Sequence, residues 1–318
     1  MSRPRLLITR QIFPEVNERL RQSFDVMDNQ SDQLWARAEL LERAADRDAL
    51  FVVNSDVVNV ELLDAAPRVR IVATGSVGVN HIDRAACAAR GIAVTNTPDV
   101  LNEATADMAW ALLMAAARRV SESERWLRAG QWDRWAFDQF LGADVWQSTL
   151  GIVGMGRIGS AIARRARGFD MKILYCNRSP AANADALGAE RVELGELLAR
   201  ADHVVLVVPY SAQTHHLIGA AQLAQMKPSA TLINIARGGV VDDRALAAAL
   251  SAGRIAAAGL DVFENEPALH PALLDCRNVV LTPHLGSATR SARVAMAALA
   301  ADNLIAWSEN RALPTPVL

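Results

Sequence analysis

Cysteine is scarce in this sequence, and the few cysteines present are widely spaced. Cys87, Cys176 and Cys276 are the three in the chain, and none belongs to a C-x-x-C motif. That spacing argues against disulfide bonds and against a zinc–cysteine site, and it suits a reducing compartment. A disulfide-stapled secreted domain is therefore excluded, and we expect no metal.

Long apolar runs are also missing. The longest stretch, residues 108–117, is bounded by Asp107 and Arg118 and falls well short of the roughly 20 residues that span a bilayer. It is predicted to be a buried helix. Residues 1–8 contain two arginines and only a short apolar run, so they do not resemble a secretory signal. We expect a cytoplasmic protein with no membrane partner.

The sequence has no excess of basic charge. Its 33 Lys and Arg residues against 35 Asp and Glu residues give a formal net charge of -2. Such a balance offers no global attraction for nucleic acid, so no nucleic-acid partner is expected. With 318 residues, 51% of them hydrophobic, the chain is long enough for about two globular domains.

Short apolar runs alternate with helix-forming stretches, the pattern of parallel strands joined by helices. The predicted strands lie at residues 6–8, 50–53, 71–73 and 92–94, and then, in a second series of six, at 149–153, 171–176, 203–208, 231–235, 256–260 and 279–281. A helical stretch is expected at 34–45, a long helical segment between 97 and 130, and an amphipathic helix at 291–307 that packs on the first domain. The fold class is α/β, with two doubly wound parallel sheets of Rossmann-like or flavodoxin-like type.

A glycine-rich loop follows the first strand of the second series. Gly154, Gly156 and Gly159 form a G-x-G-x-x-G motif between an apolar strand and the helical stretch 157–168. Glycines at this spacing permit a tight turn and let a pyrophosphate approach the N–H groups of a helix N-terminus. An ordinary strand–helix turn is the alternative, but the strand and helix contexts favour a dinucleotide site.

The next strand ends without the acidic residue that usually binds the ribose 2′-hydroxyl of NAD. Asn177, Arg178 and Ser179 stand there instead. A guanidinium and a hydroxyl can bind a 2′-phosphate, so NADP(H) is predicted to be preferred, with NAD(H) possible. The alternative is that Arg178 is only a solvated surface residue.

Three charged residues follow later strands of the same series. Arg237 could hold a keto-acid carboxylate by paired hydrogen bonds, or could instead neutralise Asp242 or Asp243. His284 follows the last strand, where ligands bind in such sheets, although a lone histidine often only packs or caps. A carboxylate beside it would favour the protonated imidazole needed for proton donation. Glu266 is preferred over Glu264 for that role, though the spacing does not force the choice.

In the first domain, residues 75–79 follow the strand at 71–73. The sequence there, GSVGV, resembles a tight loop whose N–H groups could hold a carboxylate. By itself the segment is more typical of a plain turn.

Four motifs together resemble those of the D-isomer-specific 2-hydroxyacid dehydrogenase family over nearly the whole chain. They are GIVGMGRIG at 151–159, NIARGG at 234–239, GLDVF through EP at 259–267, and PHLGS at 283–287. The segment 177–179 and the tail from 288 look most like the NADPH-dependent glyoxylate/hydroxypyruvate reductases and 2-ketogluconate reductases of that family.

The resemblance implies the fold, the activity and the site. Residues 1–99 plus 288–318 would form a discontinuous substrate-binding domain, and residues 100–287 would form the dinucleotide-binding domain. A cleft would lie between the two domains, and the protein would be a homodimer. The enzyme would reduce small 2-oxo acids such as glyoxylate, hydroxypyruvate or 2-ketogluconate to D-2-hydroxy acids. Arg237 would bind and polarise the substrate, Glu266 would tune His284, and His284 would donate the proton.

The remaining site predictions concern binding. Val77 and Gly78, with Arg237 and His284, are predicted to contact the substrate. Besides Gly154, Gly156 and Gly159 and residues 177–179, the predicted cofactor-binding residues are Thr105, Arg157, Ile158, Pro209, Ala236, Asp261 and Gly286.

Two features depart from the family pattern, and two alternatives stay open. Val79 and His81 are not the residues most expected in the substrate loop, and the aromatic stretch 126–140 is less typical. That stretch could reach a neighbouring subunit or pack at a dimer interface. The alternatives are an NAD-linked dehydrogenase of another substrate and a non-catalytic regulator that senses the dinucleotide.

Overall fold

The computed structural model describes residues 3–318 and divides into two compact units. The first comprises residues 3–101 and 288–318, and the second comprises Asn102–Ser287. The strands are β1 (Arg5–Ile8), β2 (Asp25–Asp28), β3 (Ala49–Val52), β4 (Ile71–Thr74), β5 (Ala93–Thr95), β6 (Thr149–Val153), β7 (Lys172–Cys176), β8 (Ala189–Arg191), β9 (His203–Leu206), β10 (Thr231–Asn234), β11 (Ala257–Leu260) and β12 (Val279–Leu281).

Helices connect these strands. They are α1 (Pro14–Ser23), α2 (Arg37–Ala44), α3 (Val60–Ala65), α4 (Arg84–Ala89), α5 (Asn102–Ala117), α6 (Val120–Arg128), α7 (Arg157–Ala166), α8 (Ala184–Leu187), α9 (Leu194–Arg200), α10 (Ala220–Leu223), α11 (Asp243–Ser251), α12 (Pro271–Asp275) and α13 (Arg290–Ser308), with a short 3-10 helix at Arg167–Phe169.

Each unit is built on a parallel sheet. In the first unit the strand order is β2-β1-β3-β4-β5, and in the second it is β12-β11-β10-β9-β6-β7-β8. All strand pairs within both sheets are parallel. The order reverses beside β6, between its neighbours β7 and β9. In sheets of this kind ligands bind beyond the carboxyl ends of the strands at such a reversal. The predicted α/β class is confirmed.

The sheet of the first unit buries both of its faces, because alternate side chains of a strand point to opposite sides. Leu6 and Ile8 of β1 belong to one apolar cluster, and Leu7 belongs to the other. Helix α13 supplies Ala300 and Leu304 to the first of these clusters. The amphipathic helix predicted at 291–307 therefore does pack on the first unit.

Two strands were missed by the sequence pattern, and one predicted helical segment contains a break that the pattern did not show. β2 and β8 contain polar residues and lie at sheet edges, so neither shows an apolar run. The second sheet consequently has seven strands where six were predicted. The long helical segment predicted between residues 97 and 130 consists of two helices, α5 and α6. The break lies at Arg119, whose φ of 54° is left-handed and incompatible with continuing a helix.

Candidate active site

His284 and Glu266 form a close pair in the second unit. Glu266 lies in the loop after β11, and His284 follows β12, which is the neighbouring parallel strand. Both loops therefore leave the same edge of the sheet. The Nδ1 atom of His284 lies 2.7 Å from Oε2 of Glu266. Both side chains are about 30% exposed or less, at 28% and 30%, so the pair is half-buried but open to a ligand.

A buried carboxylate holds the loop that carries His284. Asp261 is 1% exposed. Its carboxylate accepts hydrogen bonds from the N–H groups of Leu285 and Gly286, each at 2.7 Å, and from Thr282 Oγ1 at 2.6 Å. Its backbone oxygen accepts the N–H of His284 at 2.9 Å. These bonds keep His284 in a left-handed conformation with φ 55°, an unfavourable backbone that persists where the surroundings impose it.

Each carboxylate oxygen of Glu266 has a polar contact that orients the side chain. Oε1 accepts the backbone N–H of Phe263 at 2.9 Å while Oε2 faces His284. Burial by itself raises the pKa of the Glu266 carboxyl. The hydrogen bond and charge of His284, helped by Phe263 N–H and by Arg237, outweigh burial and hold that pKa below its usual range. Glu266 is thus an anion at neutral pH, and an anion at this distance stabilises the protonated imidazole.

Arg237 follows β10 and lies near the same carboxylate. Burial lowers the pKa of its guanidinium, and the negative charge of Glu266 opposes that effect. The group stays cationic at neutral pH because an arginine ordinarily keeps its proton far above neutral pH. Nη1 donates to the backbone oxygen of Ala236 at 2.8 Å. A guanidinium has five N–H donors in a fixed fork, so Arg237 keeps the capacity to bind a planar carboxylate.

The turn around Arg237 packs tightly against the loop of Glu266. A Cβ atom added at Gly238 would lie 1.7 Å from the backbone oxygen of Phe263. Only glycine allows that approach. The side chain of Asn234 also fixes the turn, since its Oδ1 accepts the N–H of Ala236 at 3.1 Å and its Nδ2 donates to the oxygen of Arg237 at 3.4 Å. The sequence analysis did not assign these roles to Asn234 and Gly238, although both belong to the NIARGG motif.

The glycine loop has the geometry that a dinucleotide needs. Gly154 has φ 101°, and an added Cβ would lie 2.9 Å from Val207. A Cβ at Gly159 would lie 2.5 Å from the oxygen of Gly154, so α7 packs closely on β6. At Gly156, by contrast, an added Cβ would meet nothing within 4 Å. That open space lies at the N-terminus of α7, whose first N–H groups lack helical partners, and it fits a pyrophosphate.

Residues 177–179 adjoin the glycine loop. The side chain of Asn177 bonds the backbone of Met155 twice, accepting from its N–H at 2.6 Å and donating to its oxygen at 3.1 Å. Arg178 and Ser179 are exposed. Arg191 donates to the backbone oxygens of Asn177 and Arg178, both at 3.0 Å. Asn177 therefore fixes the conformation of the glycine loop. Arg191 fixes the backbone of the turn that carries Arg178, a role that the sequence analysis did not assign.

The other predicted cofactor residues lie at the same edge of the second sheet. Thr105, on α5, is buried, and its Cγ2 would lie 3.4 Å from a Cβ added at Gly286. Arg157 and Ile158 form the first turn of α7. Pro209 is exposed after β9, and its oxygen accepts the hydroxyl of Thr214.

Val77 and Gly78 belong to the first unit, whereas the residues described so far belong to the second. Their loop follows β4 and is fixed by polar side chains. The oxygen of Val77 accepts Asn96 Nδ2 at 2.8 Å, and that of Gly78 accepts Ser76 Oγ at 2.7 Å. His81, one of the unexpected residues, pairs through Nε2 with the hydroxyl of Thr74 at 3.0 Å. These hydrogen bonds occupy the backbone carbonyl oxygens of Val77 and Gly78. The backbone N–H groups of the loop are the groups suited to bind an anion.

No helix in residues 3–318 combines the length and the apolar character needed to cross a membrane.

Comparison with known proteins adds independent findings. Residues 110–286 match the family model of the D-isomer specific 2-hydroxyacid dehydrogenase NAD binding domain. The chain is 49% identical over 320 residues to a glyoxylate reductase of Thermococcus onnurineus, covering 99% of this chain and 96% of that relative.

Solved structures agree in fold. An NADPH-dependent glyoxylate/hydroxypyruvate reductase of Sinorhizobium meliloti, in complex with NADP and malonate, is 40% identical with a TM-score of 0.87, covering 99% of this chain and 97% of that one. A glyoxylate reductase of Paecilomyes thermophila is 34% identical with a TM-score of 0.90, covering 100% and 99%.

Proposed function

The chain belongs to the D-isomer specific 2-hydroxyacid dehydrogenase family, and on that premise we propose that it reduces glyoxylate and hydroxypyruvate to the corresponding 2-hydroxy acids, with 2-ketogluconate as a further candidate. It is an oxidoreductase that uses a nicotinamide dinucleotide to reduce 2-oxo acids. The observation that supports the specific proposal best is the His284–Glu266 pair with Arg237 beside it.

The chemistry assigned to these residues follows from their contacts. Arg237 binds the substrate carboxylate and polarises the adjacent carbonyl through its remaining donors. Since Nδ1 of His284 faces Glu266, Nε2 is the atom that donates a proton to the carbonyl oxygen. The reduced nicotinamide, when bound, supplies the hydride. In the reverse direction His284 accepts the proton, and Glu266 stabilises the imidazolium that forms.

We propose NADPH as the preferred cofactor. The supporting observation is the exposed pair Arg178 and Ser179 at the end of β7, where an NAD enzyme usually has an acidic residue. Arg178 would bind the 2′-phosphate by charge-assisted hydrogen bonds. Arg157 and Ile158 would bind the pyrophosphate through the N-terminus of α7. Thr105, Pro209, Ala236, Asp261 and Gly286 are assigned to the same cofactor site.

The two units are assigned different roles. In the second unit, residues 102–287, the open space at Gly156 supports dinucleotide binding. In the first unit, the loop fixed by Ser76 and Asn96 supports binding of the substrate carboxylate by the N–H groups of Val77 and Gly78. The three cysteines are free thiols, which suits the reducing cytoplasm as the location.

We also propose a homodimer, supported by the aromatic surface of residues 120–146. Helix α6 buries none of its residues. Trp132, Trp135 and Phe137 are 57%, 66% and 87% exposed. Exposed apolar surfaces of this kind mark interaction sites, and tryptophan is enriched in them. The molar mass of the purified protein, measured by light scattering, would show a dimer, and a monomer at micromolar concentration would refute the proposal.

The test of the proposed reaction is the initial rate of NADPH oxidation, and separately of NADH oxidation, with glyoxylate, hydroxypyruvate and 2-ketogluconate. We expect turnover with at least one acid and a higher kcat/KM for NADPH than for NADH. A preference for NADH would refute the role of Arg178 and leave the reaction intact. No oxidation of either dinucleotide across the panel would refute the proposed function.

A further inference from the structure

A second cluster of titratable side chains includes one residue of the loop that carries Glu266 and two residues of another segment. His215 and His216 are in the segment between β9 and α10, and Glu264 follows β11. Each offers one potential ligand atom, and these atoms all lie within 4.8 Å of one another. The cluster uses neither His284 nor Glu266, so it is chemically separate from the site described above.

The side chains of the cluster already contact one another. Nε2 of His216 lies 2.5 Å from Oε1 of Glu264. The rings of His215 and His216 stack with centroids 3.9 Å apart and an angle of 23° between them. Both histidines are exposed and Glu264 is half-buried, so an ion from solvent can reach all three.

Backbone hydrogen bonds fix the segments that carry the cluster. The N–H of His216 donates to the oxygen of Gly239 at 2.7 Å, and that of Ile218 donates to Val240 at 3.1 Å. The N–H of Glu264 donates to Oδ2 of the buried Asp243 at 3.0 Å. Two segments that are distant in the sequence are therefore held side by side, which reduces the ordering needed to bind a ligand between them.

The Nδ1 atoms of both histidines also lie near oxygen atoms. Nδ1 of His215 lies 3.2 Å from the hydroxyl of Tyr210. Nδ1 of His216 lies 4.0 Å from Oδ2 of Asp242, close enough for an electrostatic interaction but too far for a hydrogen bond. Histidines that bind metals characteristically direct the other ring nitrogen toward a carboxylate, hydroxyl or carbonyl, which fixes the tautomer and strengthens the ligand. The hydroxyl of Tyr210 is a partner of this kind for His215.

We propose that His215, His216 and Glu264 bind one divalent transition-metal ion of the Zn²⁺ class, with water completing the coordination. Two imidazoles and one carboxylate form a common ligand set for Zn²⁺. Bonds of about 2.0–2.1 Å in a tetrahedron place ligand atoms about 3.3 Å apart. The stacked rings must open for both to reach one ion, and the exposed side chain of His215 can rotate to do so.

The proposal does not conflict with the scarcity of cysteine. Widely spaced cysteines argue against a zinc–cysteine site, whereas this site is built from histidine and carboxylate. An ion here would join the segment of residues 210–218 to the loop of residues 263–267. That loop also carries Glu266, but the ion would contact neither Glu266 nor His284.

The experiment is calorimetric titration of the intact protein with ZnCl₂, supported by competition with a chromophoric chelator. The matched variants are His215→Gln and Glu264→Gln, and the control is His270→Gln, a histidine outside the cluster. We expect one ion per chain for the wild type and the control, and at least tenfold weaker binding for each cluster variant. Thermal unfolding curves establish that every variant is folded before it is titrated.

Three outcomes would overturn the proposal. The first is no saturable binding by the wild type at Zn²⁺ concentrations up to 100-fold above that of the protein. The second is undiminished affinity in His215→Gln, which would assign the ion to other groups. The third is a spectrum of the Co²⁺-loaded protein without the intense visible bands of a four- or five-coordinate site. None of these readouts depends on turnover, so the proposed function and the metal site can fail independently.

Discussion

Two histidine–glutamate pairs lie on one loop of the second unit, and they differ in what surrounds them. Glu266 faces His284 at 2.7 Å, and Glu264, two residues earlier, faces His216 at 2.5 Å. The contacts are nearly identical. A short imidazole–carboxylate distance therefore does not by itself identify a catalytic pair.

The neighbours of each pair decide its chemistry. Beside Glu266 lies the cation Arg237, which can hold an anionic keto acid against His284. Beside His216 lie a second imidazole, that of His215, and the carboxylate of Asp242. The first arrangement suits proton transfer to a bound anion, and the second suits a cation. Substitutions that separate the two pairs test this distinction.

Among the substitutions that compare the surroundings of the two pairs, the largest effect on kcat/KM is expected from Arg237→Ala. Loss of one preorganised charged donor at a reacting centre lowers rates by about 10²–10³, and Arg237 serves both the carboxylate and the carbonyl. We expect kcat/KM for glyoxylate to fall at least 10²-fold in steady-state assays. Arg237→Lys, which keeps the charge without the fork, should recover only part of the loss. A fall of less than tenfold in the alanine variant would remove Arg237 from the mechanism.

Glu266→Gln should have a smaller effect with a distinctive dependence on pH. The amide keeps the size of the side chain but cannot stabilise the imidazolium of His284 electrostatically. We expect kcat to fall about tenfold to 100-fold, less than the roughly 10²–10⁴ that general acid catalysis contributes, because Glu266 acts only through His284. The rate of reduction should also begin to decline at a lower pH than in the wild type. Unchanged pH–rate profiles would show that Glu266 does not act through His284.

A change remote from both pairs should alter cofactor choice alone. Arg178→Gln removes the charge proposed to bind the 2′-phosphate, and a charged hydrogen bond contributes about 1.5–3 kcal/mol. We expect KM for NADPH to rise about tenfold or more while kcat with NADH changes little. Arg191→Gln, which loosens the turn under Arg178, should give a weaker version of the same shift. Equal changes for both dinucleotides would contradict the assignment.

Asp243, whose carboxylate accepts the N–H of Glu264, should affect stability in a pH-dependent way. Burial raises the pKa of Asp243 to about 6, and the nearby negative charge of Glu264 adds to this effect. The hydrogen bond from the backbone N–H of Glu264 opposes the rise but does not cancel it. An unfolded aspartate titrates near pH 4, so between about pH 4 and 6 the folded state binds more protons. Ionisation of Asp243 therefore destabilises the fold as pH rises through this window.

Asp243→Asn keeps an acceptor for the N–H of Glu264 and removes that ionisation. Relative to the wild type, its free energy of unfolding should be higher at pH 7.5 by about 2 kcal/mol. The difference should shrink as the pH is lowered toward 4. Denaturant unfolding at both pH values measures it, and a gap that does not vary with pH would contradict the raised pKa.

The smallest effect is expected from His216→Gln. Its pair has the shorter contact, but it lacks an adjacent guanidinium and is assigned no role in reduction. We expect kcat and KM for glyoxylate to stay within about threefold of the wild type, since surface changes away from a site are usually mild. A loss comparable to that in Glu266→Gln would erase the distinction between the two pairs.

Much of the fold could be read from apolar runs, and the exceptions have physical causes. The buried central strands, such as β6 and β10, are mostly apolar and were predicted nearly to the residue. Edge strands such as β2 bury only part of their surface, so polar residues are tolerated there and the signal is lost. The break between α5 and α6 depends on one residue, Arg119, in a left-handed conformation that no pattern indicates.

For the site, sequence could name the residue types but not their partners. The choice between Glu264 and Glu266 was not forced by spacing, and only the structure shows that Glu266 meets His284 while Glu264 meets His216. The cluster at His215 escaped notice because its carboxylate comes from a segment 48 residues away from His216. The bonds of Asp261 to the loop after β12 were likewise invisible, since they depend on how two neighbouring strands end.

The central claim is that His284, oriented by Glu266, donates the proton in the reduction of a 2-oxo acid. The most direct test is kcat for glyoxylate reduction by His284→Asn beside the wild type, with NADPH affinity measured by fluorescence titration. The account predicts a fall in kcat of about 10²–10⁴ with NADPH affinity unchanged within about threefold. A variant that binds NADPH normally and keeps more than a tenth of the wild-type kcat would contradict it.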